Sequence, residues 1–172
     1  MLSTTIHQQL PIQLPRLWRF AMRLTRNNTD AEDLVQRTCV RALERKMQWQ
    51  LGSNLLAWLF TIMHSIWMNE LRQRRNHPEE LLDENWQDID QRMSHETPEQ
   101  SLACRQMLRI VDELPEAHRL VLNLIAVEGM TYQEAADVLS VPIGTVMSRL
   151  ARARDNIDSK MLLKGVPNAS VK

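Results

Sequence analysis

Between Thr131 and Arg154, in TYQEAADVLSVPIGTVMSRLARAR, two hydroxyl residues (Thr145, Ser148) and three arginines (Arg149, Arg152, Arg154) recur at helical spacing behind a proline. A guanidinium can pair bidentately with guanine, and serine or threonine can bond bases or phosphates. The chemistry on offer is recognition of DNA by hydrogen bonds and charge.

Two elements must position these groups. Thr131 and Glu134 spell a Thr-x-x-Glu capping box, in which each side chain satisfies an orphan backbone N–H, so a helix is predicted to begin at Tyr132. Ala135, Ala136 and Leu139 give it a small apolar face that a second helix can approach closely, and Pro142 cannot continue it. Pro142 suits the first turn of the next helix. There Ile143, Val146 and Leu150 form an apolar stripe, leaving Thr145, Ser148, Arg149 and Arg152 on other faces, with Arg154 and Lys160 farther along. Two short helices at a sharp turn make a helix-turn-helix, whose second helix presents its N-terminal residues to a major groove. The competing reading is a helical hairpin with a solvated basic face.

The 172 residues suit one domain or two small ones, and abundant helix formers with only four glycines predict an all-α protein. Cys39 and Cys104 lack the close spacing of a zinc site and read as two buried thiols in a reducing cytoplasm. His7, His64, His77, His95 and His118 form no ligand pair, the glycines make no phosphate loop, and no nucleophile and base can be assembled. No metal, no cofactor and no enzyme are therefore expected. The start, MLSTTIHQQLP, lacks the charged and apolar regions of a secretory signal, which favours a cytoplasmic location.

The net charge of zero conceals segregation. From Arg16 to Arg75 eleven Lys or Arg face five Asp or Glu; from Asn76 to Gln100 Arg92 alone faces eight acids; the remainder carries nine against eight. The acidic middle, with two prolines and little periodicity, has the composition of a flexible linker. Thr97, Pro98 and Gln100 read as the next helix start. Two small helical domains follow, 10–76 and 98–164, joined by an acidic linker over 77–97.

Within the first domain, Leu14 to Thr25 reads as a helix, and Thr29 with Glu32 as a capping box opening the next. In that second helix Ala31, Leu34, Val35, Thr38, Ala42 and Leu43 recur at threes and fours, turning Asp30, Asp33, Gln36, Arg37 and Arg41 outward. A loop with Gly52 and Ser53 beside Trp49 follows. The helix from Leu55 to Leu71 is apolar on nearly every face, so neighbours or a partner must enclose it; Thr61, His64 and Ser65 interrupt it too much for membrane insertion. It ends in Arg72, Arg74 and Arg75, which suit a helix C-terminus and could meet phosphates.

The pairing of DAEDLVQRTCVRALE with WLFTIMHSIWMNELRQRR, then the acidic linker, then ELPEAHRLVLNLIAVEGMTYQEAADVLSVPIGTVMSRLARAR, resembles a bacterial RNA polymerase sigma factor of the extracytoplasmic-function group. The resemblance implies that the helix of Asp30, Asp33, Gln36, Arg37 and Arg41 docks on the clamp helices of core RNA polymerase. It implies that Trp49, Ser53, Asn54, Ser65, Asn69, Arg72 and Arg75 belong to a surface that captures an unstacked base of the minus-ten promoter element. Extruding a base costs about a few kcal/mol, which stacking and polar edges can offset. Thr145, Ser148, Arg149, Arg152 and Arg154 would read the minus-thirty-five element, near the polymerase flap. An anti-sigma factor is a further implied partner.

The chain departs from the family pattern at Ser65 and Asn69, where relatives often carry asparagine and aspartate, and at Met147, where arginine is frequent. Trp49 and Trp58 read more readily as core than as melting wedges. The main alternative, a stand-alone helix-turn-helix regulator, would need a sensor or dimerisation domain that the basic N-terminal block matches poorly. A sigma-like decoy would normally carry a receiver domain, of whose βα alternation there is no sign.

Overall fold

The computed structural model describes residues 6–76 and 102–163; the helix start expected at Thr97, Pro98 and Gln100 lies outside them, as does the linker. Among the described residues there are seven α-helices and no strand, and the chain divides into two compact units.

The first unit is built from α1 (Ile6–Thr25), α2 (Asn28–Glu44) and α3 (Leu55–Asn76), each packed on the other two. Helix α1 starts eight residues before the expected Leu14 and runs through Pro11 and Pro15. Each proline removes a backbone donor, but Ile6 and Leu10 are buried, and that burial offsets the lost bonds. Helix α2 is capped by Asn27, whose Oδ1 accepts the Asp30 N–H at 3.1 Å, rather than by the expected Thr29 and Glu32. An equally good cap two residues upstream wins there, preceded by Arg26 in the left-handed region at φ 55°. Leu34, Thr38 and Ala42 turn inward, and the Thr38 hydroxyl donates to the Leu34 carbonyl. Helix α3 supplies Leu59, Phe60, Met63 and Ile66 to this core, with the Phe60 ring stacked on Phe20 at 4.2 Å between centroids. Burial by its neighbours is what a helix apolar on most faces required.

The second unit contains α4 (Leu102–Asp112), α5 (Glu116–Leu122), α6 (Tyr132–Leu139) and α7 (Ile143–Leu163). A π-helical stretch, Asn123–Val127, continues α5 and closes at Gly129, φ 68°. Helix α7 packs against α4, α5 and α6 through Val146, Leu150, Ala153, Ile157 and Met161. Glu113 Oε2 accepts from Lys160 Nζ at 2.7 Å, tying the far end of α7 to the segment after α4.

Candidate nucleic-acid and docking surfaces

The helix-turn-helix forms as its residues require. The Glu134 N–H donates to Thr131 Oγ1 at 3.1 Å and the Thr131 N–H donates to Glu134 Oε2 at 2.8 Å, completing the capping box. Ala135, Ala136 and Leu139 are buried. Helix α6 ends in a Schellman arrangement: Ser140 is left-handed at φ 53°, its N–H donates to the Asp137 carbonyl, and the Val141 N–H donates to that of Ala136. Pro142 sits one residue before α7 rather than within its first turn, its carbonyl accepting from Thr145 and Val146.

On α7 the periodicity about the buried stripe turns Gly144, Ser148, Ala151 and Arg152 toward solvent, with Thr145 and Arg149 half-buried on one flank and Arg154 exposed on the other. Among the described residues Arg149, Arg152 and Arg154 form no ion pair. The Ser148 hydroxyl donates to the Thr145 carbonyl at 3.1 Å, which leaves its oxygen able to accept. Ile143, expected in the apolar stripe, is 43 % exposed at the first turn, beside exposed Met147.

In the first unit the loop before α3 is locally determined. Gly52 has φ 92°, Ser53 Oγ donates to the Gln50 carbonyl at 2.7 Å, and Asn54 Oδ1 accepts the Ala57 N–H at 3.2 Å, capping α3. Trp49 is half-buried, its indole Nε1 without a bond among the described residues, while Met47 and Leu51 are exposed. Along α3, Ser65, Asn69 and Arg72 share one exposed stripe with half-buried Trp58 and Thr61; Arg72 donates to Asn69 Oδ1 at 3.0 Å, and Arg75 is exposed nearby.

The outward residues of α2 are not simply solvated. Arg37 Nη1 donates to Asp33 Oδ2 at 3.2 Å and to Glu70 Oε2 of α3 at 2.9 Å. Arg74, also on α3, pairs with Glu70 and lies 3.5 Å from Asp30 Oδ2, its guanidinium 5.5 Å from the Trp67 ring centroid. Partial burial acts to pull the Arg37 pKa down, but the bonds and charges of Asp33 and Glu70 together raise it. Glu70 and Arg74 were absent from the expected surface; their i, i+4 spacing on a basic helix end was the available signal. Gln36 is exposed and Arg41 half-buried on the same helix. Cys39, expected to be buried, is a half-buried free thiol whose pKa burial pushes up; the Cys104 side chain lies outside the description.

Among the described residues no three or more His, Cys, Asp or Glu are grouped to hold a metal, and no helix is long and apolar enough to cross a membrane.

Residues 13–77 match the family described as Sigma-70 region 2, and residues 104–157 match Sigma-70, region 4. The chain is 32% identical over 164 residues to the ECF RNA polymerase sigma factor EcfG of Rhodopseudomonas palustris, covering 95% of this chain and 89% of that protein. It is an extracytoplasmic-function sigma factor. This sigma factor is also 30% identical to the ECF RNA polymerase sigma-E factor of Escherichia coli over 141 residues, 77% of this chain and 74% of that one. A crystallised sigma factor RpoE from Bartonella quintana, in complex with the anti-sigma factor NepR, superposes with a TM-score of 0.72 at 32% identity, over 94% of this chain and 98% of that one. Like its relatives, this sigma factor acts in transcription initiation, through core RNA polymerase and promoter DNA.

Proposed function

We propose a division of labour among the three surfaces. The N-terminal half of α7 reads the minus-thirty-five element: Ser148 and Arg152 meet base edges, and Thr145, Arg149 and Arg154 grip the flanking phosphates or bases. The loop of Trp49, Ser53 and Asn54, with Ser65, Asn69, Arg72 and Arg75 of α3, holds the melted minus-ten strand. Asp30, Asp33, Gln36, Arg37 and Arg41 of α2 dock on the polymerase clamp helices, and the second unit lies near the flap. The work is done in the cytoplasm, by binding rather than by bond-making, and residues 10–76 and 98–164 are the two functional domains with 77–97 as the tether. The tether sets the effective concentration of one DNA contact once the other is made.

The observation that carries this reading is the outward row of α7, where arginines without ion pairs among the described residues flank Gly144 and Ser148 behind a capped helix-turn-helix. An anti-sigma partner, by analogy with the relative crystallised with NepR, would make the activity a response to a signal. The test is transcription in vitro with purified core polymerase on a library of genomic promoter fragments. Initiation at a subset of fragments sharing two elements supports the reading; binding to duplex DNA without polymerase and no redirected initiation would sink it in favour of a stand-alone regulator.

A further inference from the structure

The α2 docking face is stitched to α3 by a carboxylate that the division of labour above does not use. Glu70 is 20% exposed, and its two oxygens accept from two arginines: Oε2 from Arg37 of α2, Oε1 from Arg74 one turn onward on α3. Asp33 accepts from the same Arg37 nitrogen one turn back on α2 and Asp30 approaches Arg74, so five charged residues form one lattice across the helix pair. Trp67 lies against Arg74 and fixes the lattice at its base.

Exposed ion pairs contribute little to stability. Orientation is the larger consequence. A solvent-facing arginine on a helix samples many rotamers, whereas Arg37 is held at one nitrogen, Nη1, by two carboxylates. Its Nε and Nη2 make no bond among the described residues, and the Arg37 side chain is 46% exposed, with the Asp33 side chain at 60% and Val40 at 56% on the same helix. Val40 lies one turn along the same face, an apolar side chain next to charges that the first unit itself does not cover.

We propose that Glu70 is a positioning residue for polymerase docking: it presents the free donors of Arg37 to a carboxylate on the partner helix, while Asp33 meets a basic group and Val40 an apolar one. This rests on the reading of α2 as the docking face. Arg74 serves the same end by fixing Glu70. Ser65, Asn69 and Arg72 lie on a different side of α3 from Glu70, so this role is separable from DNA contact.

A double-mutant cycle on the full-length chain and core polymerase tests it, with affinity read by fluorescence anisotropy at low and high salt and folding by circular dichroism. Glu70→Gln, nearly isosteric, is expected to weaken binding about three- to fivefold, the size for a half-exposed charge pair. In the Arg37→Ala background the same change is expected to have almost no effect, and the loss is expected to shrink as salt screens it. An equal loss in both backgrounds, or none in the first, overturns the positioning role while leaving α2 as the docking face. If Arg37→Ala and Asp33→Ala bind as tightly as the parent, the docking face itself is wrong and this inference goes with it. Should Glu70→Gln unfold, Glu70→Asp keeps the charge but shortens its reach to Arg37, and the same dependence on Arg37 is expected.

Discussion

Arg149 and Arg152 are the same residue type three positions apart, nearly one helical turn, but α7 gives them different settings. Arg152 is exposed on the outward row below Ser148, whereas Arg149 is half-buried on the flank beside Thr145. Neither makes an ion pair among the described residues, so alanine at either position removes no internal bond and should leave the melting temperature unchanged within error. For Arg152→Ala we expect loss confined to promoters that carry the preferred upstream bases. A bidentate base contact is worth about 1 to 3 kcal/mol of discrimination, which is roughly a 5- to 150-fold fall in initiation there and little on promoters already mismatched. For Arg149→Ala we expect a loss of similar proportion on every promoter and a salt dependence shallower by about one phosphate contact. The assay is open-complex formation with reconstituted polymerase on a panel of single-base upstream variants at two salt concentrations. If Arg152→Ala weakens all templates alike, Arg152 touches phosphate, and if neither variant changes initiation, the outward row of α7 does not face DNA.

Three other perturbations test the fold that holds these surfaces. Ser140→Gly relieves a left-handed non-glycine residue at the turn between α6 and α7, and should raise stability by about 0.5 to 1 kcal/mol in urea melts without altering promoter choice. Phe60→Ala opens the stack with Phe20 at the centre of the first unit and should cost about 3 to 5 kcal/mol, read as a lower denaturation midpoint. His64 is half-buried, and desolvation lowers its pKa from the ordinary 6.5. The unfolded chain then binds the proton more readily, so stability contributed by neutral His64 is present above that value and falls as pH drops below it; His64→Gln should flatten this part of the profile between pH 7.5 and 5.5.

What was legible in the sequence was local. The capping box at Thr131 and Glu134 and the close-packed face of Ala135, Ala136 and Leu139 involve residues within a few positions of one another, and each appears as read. Helix starts were less legible where neighbours compete: Asn27 and Thr29 are both good caps, and only the bond from Asp30 N–H distinguishes them. The start of α1 was not legible either, because local chemistry does not reveal that Ile6 and Leu10, ahead of Pro11 and Pro15, would be buried against the rest of the unit. The bond from Arg37 to Glu70 spans 33 residues and depends on the register of α2 against α3, which no spacing rule encodes. The outward character of Arg37 was therefore readable, and what it is tied to was not.

Helix α7 is a single rod of 21 residues, about 30 Å long, with the proposed promoter-reading turns at one end and Lys160 anchored to Glu113 at the other. Adding or deleting one residue within it would swing everything beyond by about 100° and pull either the Val146 and Leu150 seam or the anchor out of register. Its length is consequently as constrained as its side chains. Divergence in what such a helix recognises has to proceed by exchanging residues on the outward row, never by changing their number.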